Sequence, residues 1–132
     1  MADEERFARF IERSGAFHLN HSKIFIEHYA IPQNLVEVDN IAWKGNVLFV
    51  FEGSRGKLDS EKISQIKERF NIFRFNRVGL VAEEGYPNFI SIRVFYYNLK
   101  TQRLIEVNEK GTIKSTFSYS TAEELIETLR NI

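Results

Sequence analysis

The chain has 132 residues, is 43% hydrophobic and 14% aromatic, and carries a formal net charge of zero, which predicts one globular domain over 1–132 without an overall positive field for nucleic acid. It contains no cysteine, so disulfides and thiolate metal sites are excluded and a reducing interior is allowed. No stretch approaches the roughly 20 apolar residues that cross a bilayer and no apolar signal core follows the acidic N-terminus, so we expect a soluble cytoplasmic protein without a membrane partner.

In chain order, the first predicted element is a helix over residues 3–14. Asp3 or a neighbour caps it, and Gly15 ends it. Its apolar stripe consists of Phe7, Phe10, Ile11 and Ser14. Strands are then predicted at 23–31, near 35–43 and at 46–53, and the last of these is apolar on both faces, which is typical of a central strand.

The second half of the chain begins with a helix over about 60–73, which Asp59 or Ser60 caps. A short buried strand at 78–82 follows, and a strand, a helix and a strand in this order suggest a right-handed parallel crossover. Further strands are predicted at 89–97, 103–107 and 112–118. A last helix starts at a capping box formed by Ser120 or Thr121 with Glu123 or Glu124. We therefore predict the α/β (α+β) class, with a mixed β-sheet flanked by helices.

The hairpin over residues 36–54 carries acids among apolar neighbours, where a carboxylate is costly unless something pairs with it. A two-residue turn at Lys44-Gly45 would set Asp39 opposite Val50 and Glu37 opposite Glu52. Because side chains alternate between faces with period two, four polar residues then share one face: Glu37, Asp39, Glu52 and Ser54. Acids in this arrangement are typical of a metal site, and the inference depends on the register.

The predicted order of helix, three strands, helix and strand, with Asp39 and Glu52 at these places, resembles the PD-(D/E)XK nuclease superfamily. This restriction-endonuclease-like family includes Holliday junction resolvases and Mrr-like enzymes, and its motif is an Asp on the second strand followed by Glu-x-Lys on the third. Here Glu37-Val38-Asp39 and Glu52-Gly53-Ser54 take those places, so Ser54 replaces the motif lysine. The resemblance covers about residues 3–83 and implies a three-layer fold, to which the C-terminal strands and final helix at about 89–132 are additions.

The resemblance also implies roles for particular residues. Asp39 and Glu52 would hold Mg²⁺ or Mn²⁺, hard cations that prefer carboxylate oxygens. Glu37 is a further ligand or a rim charge, and Glu4, eleven residues before Gly15, stands where resolvases carry a helix Glu. The remaining catalytic candidates are Ser54, which would position a water, Gln65, which would face the site, and Lys57 or Lys62, which would replace the missing lysine.

The implied function is a metal-dependent, nuclease-like DNA-processing protein that hydrolyses phosphodiester bonds, a Mg²⁺-dependent endonuclease with a degenerate active site. Its partner would be nucleic acid, DNA by preference, and the family also implies a homodimer. The nucleic-acid-binding candidates are Arg55, Lys57, Lys67 and Arg74, with Arg69 and Arg77 beside them. One alternative is a catalytically inactive nuclease-fold domain that binds nucleic acid or a protein partner. Another is an unrelated α+β interaction protein with a toxin-neutralising or regulatory role.

Each candidate also has an ordinary structural interpretation. Asp39 and Glu52 fit two acids at a solvated rim or paired with Arg, and Glu4 fits the dipole of the helix start. Gln65 and the basic residues fit a solvated helix face. Trp43 fits packing beside the turn or base stacking. A zinc site is disfavoured because the chain has no cysteine and because two of its three histidines fall in an expected loop; these are His18, His21 and His28.

Overall fold

The computed structural model describes residues 2–27, 35–54, 59–73, 78–81 and 85–132. Within these ranges the protein is mixed α/β, with three helices and two β-sheets. None of the three helices is both long enough and apolar enough to cross a membrane. The elements are α1 (Asp3–Ser14), β1 (His18–Leu19), β2 (Ile24–Glu27), β3 (Leu35–Glu37), β4 (Asn40–Lys44), β5 (Val47–Gly53), α2 (Ser60–Phe73), β6 (Val78–Leu80), β7 (Ser91–Asn98), β8 (Arg103–Val107), β9 (Ile113–Ser118) and α3 (Ala122–Asn131).

Capping hydrogen bonds are present at the starts of α2 and α3 and at the end of α1. The Asp59 carboxylate accepts the Lys62 N–H at 2.9 Å, and the Thr121 hydroxyl accepts the Glu124 N–H at 3.2 Å. Gly15 ends α1 with a φ of +67°, and its N–H bonds the Glu12 carbonyl, because a left-handed cap suits glycine. The predicted bounds of α1 and α2 and the capping box of α3 are confirmed, whereas α1 begins after Ala2 without a side-chain cap.

The larger sheet has six strands in the order β1-β4-β5-β7-β8-β9 and is mixed, because β5 and β7 are parallel and the other pairs are antiparallel. The mixed sheet is therefore confirmed. The prediction that the strand at 78–82 is the parallel partner is wrong: β6 pairs antiparallel with β2 in a three-stranded sheet β3-β2-β6. The eight-residue β7 is long enough to pair with β5 along its whole length, whereas β6 has only three residues.

The predicted strand over 35–43 is divided between the two sheets. Its first part, β3, pairs with β2, so Glu37 lies opposite Ile24, and the predicted pairing of Glu37 with Glu52 is wrong. Its second part, β4, pairs with β5 from Lys44–Val47 to Asn40–Phe51. The next positions outward are Asp39 and Glu52, so these two acids lie level with each other instead of on a diagonal.

The register of β4 on β5 differs from the predicted one because the hairpin turn is Gly45-Asn46 and not Lys44-Gly45. Gly45 has a φ of +58°, which a type II′ turn requires of its first central residue and which only glycine adopts without strain. The short strand β1, which pairs with β4, was not predicted. The ends of the predicted strands at 28–31 and 82 lie outside the described residues.

The six-stranded sheet has an apolar cluster on each face. On one face, α1 and α3 cover alternate residues of β5 and β7, among them Phe49, Phe51, Phe95 and Tyr97. On the other face, Ile66 of α2 and the smaller sheet cover the intervening residues, among them Leu48, Val50, Val94 and Tyr96. Glu52 alternates with Val50 and therefore points toward α2, which sets the surroundings of this acid.

Candidate functional site

Asp39 lies in the bend between β3 and β4, against the end of β5. Its Oδ2 accepts the N–H of Gly53 at 2.7 Å. A Cβ at position 53 would lie 3.3 Å from this oxygen and 3.4 Å from the Tyr97 ring, so glycine permits the close approach. Burial raises the pKa of the Asp39 carboxyl, against the lowering effect of the Gly53 N–H, and the negative charge of Glu4 raises it further. The carboxylate is thus held in place in surroundings that disfavour its charge.

Hydrogen bonds hold Glu4, on the first turn of α1, against Asn40, the residue that follows Asp39. The Asn40 amide donates to the backbone carbonyl of Glu4 at 2.9 Å and accepts the Tyr97 hydroxyl at 2.9 Å. The ammonium of Lys23 forms an ion pair with the Glu4 carboxylate. A cleft of about 290 Å³ adjoins this corner and is lined by Ala2, Asp3, Glu4, Asp39, Gly53, Ser54 and Tyr97. The structure therefore brings together the Glu4 and Asp39 that the sequence proposed as ligands.

Glu52 forms a buried ion pair with Arg69 of α2. The Nη2 of Arg69 lies 2.8 Å from Oε1 of Glu52, and the two side chains are 9% and 12% exposed. Burial raises the pKa of Glu52, while the charge of Arg69 opposes this and the charge of Asp39 adds to it. The second oxygen, Oε2, is buried and has no hydrogen-bond partner in the part of the chain that the structure describes. Arg69 thus pairs with one oxygen, and a hydrogen bond with the Tyr96 hydroxyl also lowers the pKa of the Glu52 carboxyl.

Tyr96 lies beside Glu52 on the neighbouring strand, where the parallel register pairs the two residues directly. Burial, and next the charge of Glu52, raise the pKa of the Tyr96 hydroxyl. Yet this buried hydroxyl completes no hydrogen bond of standard geometry, and neither does the Nε of Arg69, within the described ranges. A hydrogen bond between the Tyr96 hydroxyl and the Glu52 carboxylate also contributes to the pKa shifts of both groups, so their contact is one of non-standard geometry.

Lys62, in the first turn of α2, reaches Ser54, which directly follows β5. Its ammonium donates to the Ser54 hydroxyl at 3.0 Å. Its charge also acts on Glu52, whose pKa it lowers. Of the two lysines suggested by the sequence, Lys62 has this contact, and Lys57 lies outside the described residues.

The other residues suggested by the sequence are exposed, packed in the core or outside the described part of the chain. Gln65 and Lys67 are exposed on α2, and Glu37 is exposed on β3 in the smaller sheet. Trp43 is 7% exposed and is packed in the core, with its ring stacked on His18 at 5.0 Å. The remaining predicted residues lie outside the described part of the chain: Arg55, Lys57, Arg74, Arg77 and His28.

Four residues of the site were not assigned these roles from the sequence: Arg69 as the partner of Glu52, Tyr96, Lys23 and Asn40. A signal for Arg69 existed, because Lys62, Ile66 and Arg69 follow a helical spacing of four and three residues, which puts a charge on the buried stripe. Tyr96 gave no comparable signal, because its partner depends on the pairing of β5 with β7.

The residues that could hold a divalent cation are Asp39 and Glu52, with Glu4 next to Asp39. The hard carboxylate donors are of the kind that Mg²⁺ or Mn²⁺ prefers. Across 2–27, 35–54, 59–73, 78–81 and 85–132, no three His, Cys, Asp or Glu side chains are grouped closely enough to form a ready-made metal site. A cation would therefore be held by few protein ligands, as Mg²⁺ often is when substrate phosphates and waters complete its shell.

Comparisons of the chain with protein-family models, with curated proteins and with solved structures gave no match.

Proposed function

We propose that the chain is a metal-dependent, nuclease-like protein of the PD-(D/E)XK type that hydrolyses phosphodiester bonds in DNA. The observation that carries the proposal is the contact of the Lys62 ammonium with the Ser54 hydroxyl at 3.0 Å. Ser54 occupies the position of the family's motif lysine, and the contact supplies a positive charge there from the following helix. The homodimer and the cytoplasmic location expected from the sequence stay predictions.

The topology supports a restriction-endonuclease-like, three-layer fold. The elements α1, β1, β4, β5, α2 and β7 follow the family's order of helix, three strands, helix and strand once β2, β3 and β6, which form the smaller sheet, are set aside. β1 and β4 lead antiparallel into β5. β7, which follows α2 and β6 along the chain, is parallel to β5. Helices cover both faces of the sheet, as the family architecture requires.

Asp39 and Glu52 would hold Mg²⁺ or Mn²⁺, with Glu4 adding negative charge beside Asp39. The bound ion would polarise the phosphate and lower the pKa of a water. Lys62 would balance the negative charge that develops on the phosphate, and Ser54 would orient the attacking water through the hydroxyl that Lys62 contacts. Arg69 and Lys23 would balance the charge of the acids when no cation is bound.

A second candidate function is an inactive nuclease-fold domain that binds nucleic acid or a protein. The observation in its favour is that Glu52 and Glu4 each have a protein cation as partner. A carboxylate that is neutralised within the protein has less residual charge with which to attract a metal ion. The two candidate functions predict the same fold and differ in metal-dependent cleavage.

The test is cleavage of linear, supercoiled and branched DNA with Mg²⁺ or Mn²⁺, compared for wild type, Asp39→Ala and Lys62→Met. We expect both substitutions to reduce cleavage about 100-fold or more, as loss of one group that stabilises developing charge typically does. Lys110→Met is the matched control, because Lys110 is exposed in the turn between β8 and β9, has no role in the proposed site and should retain wild-type cleavage.

A double variant that moves the lysine from position 62 to position 54 provides a further test. Ser54→Lys combined with Lys62→Met returns the lysine to the motif position and should restore part of the cleavage that Lys62→Met loses. Metal-independent DNA binding without cleavage would favour the second candidate function. Absence of both cleavage and DNA binding would contradict both candidates.

A further inference from the structure

Another cleft lies at the far end of β4 from Asp39, where β4 turns into β5. Its volume is about 470 Å³, which is in the range of small-molecule sites. The loop after α1, the end of β4 and the segment before β7 form its walls, and the lining residues include Gly15, Phe17, His18, Trp43, Lys44 and Pro87. None of the described residues that line it is acidic, whereas Asp3, Glu4 and Asp39 line the cleft at the candidate cation site. The two clefts therefore suit ligands of opposite charge.

His18 presents an aromatic ring to this cleft. The residue is exposed, and its ring is stacked on that of Trp43, its cross-strand partner, at an interplanar angle of 7°. Trp43 is itself packed against Phe89, with 6.4 Å between the ring centroids. Because Trp43 covers one face of the His18 ring, the opposite face is the one that is open to a planar ligand. Aromatic side chains, histidine included, stack on unpaired nucleic-acid bases in this way.

Lys44 supplies a positive charge to the same cleft. Its ammonium lies 5.4 Å from the centre of the Phe17 ring and donates to the backbone carbonyl of Ile132 at 3.0 Å. These two contacts fix the position of the ammonium. A lysine ammonium has three donors, so Lys44 can hold a phosphate oxygen as well as the carbonyl. Proteins that bind single-stranded nucleic acid combine aromatic stacking surfaces with positive charge of this kind.

We propose that this cleft binds an unpaired base of a DNA substrate, with the base stacked on His18 and a neighbouring phosphate held by Lys44. The inference rests on the proposed function, because it takes DNA as the ligand, and it adds a preference for substrates with single-stranded segments. The five residues of β4 separate the cleft from Asp39 and span roughly 17 Å. A stacked strand advances about 3.4 Å per nucleotide, so the bound base would lie about five nucleotides from the candidate cation site.

The experiment titrates the protein with oligo(dT) in EDTA, which prevents metal-dependent cleavage, and follows the emission of Trp43, the only tryptophan of the chain. We expect oligo(dT) to quench this emission, because the bound base would lie one ring away from the indole. An oligonucleotide of the same length with abasic sugars keeps the phosphates and should leave the emission unchanged. Equal quenching by the two oligonucleotides, or no quenching by oligo(dT), overturns the inference.

Substitutions of His18 test the stacking contact. His18→Ala should weaken oligo(dT) binding about tenfold, whereas His18→Phe keeps an aromatic face and should bind like wild type. If thermal denaturation shows that His18→Ala is destabilised, His18→Phe is compared with His18→Leu, which fills the position without an aromatic face. Equal affinity of these two variants overturns the inference.

Substitution of Lys44 tests the phosphate contact. Lys44→Met should reduce the slope of log Kd against log salt by about 0.7, as loss of one phosphate contact to a single strand does. Lys110→Met, in the exposed turn between β8 and β9, is the matched control and should leave the slope unchanged. Equal slopes for wild type and Lys44→Met overturn the assignment of Lys44 as the phosphate ligand.

Failure of this inference and failure of the proposed function give different results. If His18→Ala binds oligo(dT) like wild type while Asp39→Ala abolishes metal-dependent cleavage, the role of the cleft is overturned and the nuclease stands. Base-dependent quenching of Trp43 without any cleavage overturns the nuclease and leaves the cleft as a site of the second candidate function. Absence of oligo(dT) binding overturns the inference whether or not duplex DNA is cleaved.

Discussion

Tyr96 and Tyr97 are neighbours on β7, yet their hydroxyls enter very different surroundings on the two faces of the sheet. The Tyr97 hydroxyl donates to Asn40, whose amide donates in turn to the backbone of Glu4, and the Tyr97 ring stacks on Phe7 at 3.9 Å. The Tyr96 hydroxyl lies beside Glu52 in a contact of non-standard hydrogen-bond geometry, and the Nε of Arg69, the ion-pair partner of Glu52, has no hydrogen-bond partner within the described ranges. One face thus has a closed polar network, and the other an open one.

The comparison of the two faces shows two kinds of buried polar network. A satisfied network stabilises a particular arrangement, here the attachment of the start of α1 to β4 and β7. An incompletely satisfied network costs stability and is commonly found where a ligand or water completes it.

The largest effect is expected for Arg69→Leu on the open face. Removal of the guanidinium leaves the buried Glu52 charge without its partner, which should lower the free energy of unfolding by about 3–5 kcal/mol. Urea denaturation measures this loss, and Lys67→Leu, on an exposed position of the same helix, is the control. If Glu52→Gln in the Arg69→Leu background restores no stability, the loss has another cause than the unpaired charge.

The pH dependence of stability is the second test of the open face. The pKa values of Asp39 and Glu52 are raised from their ordinary values of 3.8 and 4.5, chiefly by burial. The folded state therefore holds more protons than the unfolded state above these values, and these two groups make stability fall as pH rises through their raised pKa values. Each proton contributes at most about 1.4 kcal/mol per pH unit.

Urea denaturation of EDTA-treated protein between pH 4 and pH 8, for wild type and for Asp39→Asn with Glu52→Gln, isolates this contribution from that of the other acids. The stability of the double variant relative to wild type should increase with pH. A difference that stays constant across the range would contradict the raised pKa values.

On the closed face, Tyr97→Phe should lower the free energy of unfolding by about 1 kcal/mol, because it leaves the buried Asn40 carbonyl oxygen without its donor. Tyr96→Phe, one residue earlier, removes a hydroxyl whose contact with Glu52 has non-standard hydrogen-bond geometry and should cost less. Thermal denaturation of the two variants compares the faces directly. Equal losses for both would show that the two hydroxyls have equivalent surroundings.

The smallest effect on stability is expected for Gly53→Ala. Its φ lies outside the left-handed region, so alanine restricts the unfolded chain favourably by about 0.4–1 kcal/mol, while the new Cβ crowds Asp39 Oδ2 at 3.3 Å. The two effects should nearly cancel in the Tm, but Mn²⁺ affinity should fall because the Asp39 carboxylate must move. A large loss of stability would mean that Asp39 and Tyr97 cannot adjust.

The local elements could be predicted from the sequence, because helix periodicity and capping depend on near neighbours. The bounds of α1 and α2 and the Thr121 cap were confirmed for this reason. The strand pairings could not all be predicted, because the choice between β6 and β7 as partner of β5 depends on which distant strand fits between two covered faces.

For the candidate site too, some residues could be found from the sequence and others depend on the pairing of distant segments. Asp39, Glu52 and Lys62 were candidates from the sequence, and the structure places Lys62 and Asp39 close enough for their charges to act on Glu52. The role of Arg69 follows from helical spacing only once Glu52 is known to point toward α2. The place of Glu37 was wrong because the chain changes sheets at Val38 and Asp39, a break that an alternating pattern does not reveal.

The parallel pairing of β5 with β7 also has a consequence for how the protein is made. It joins Val47 to Ser91, and the intervening chain supplies α2 and β6. Pairings between positions so far apart in the chain form slowly, because the entropy of closing the loop must be overcome first. Glu52 therefore meets Tyr96 only after synthesis has passed β7, and a nascent chain that is shorter than this carries the acids of the site without the strand that completes their surroundings.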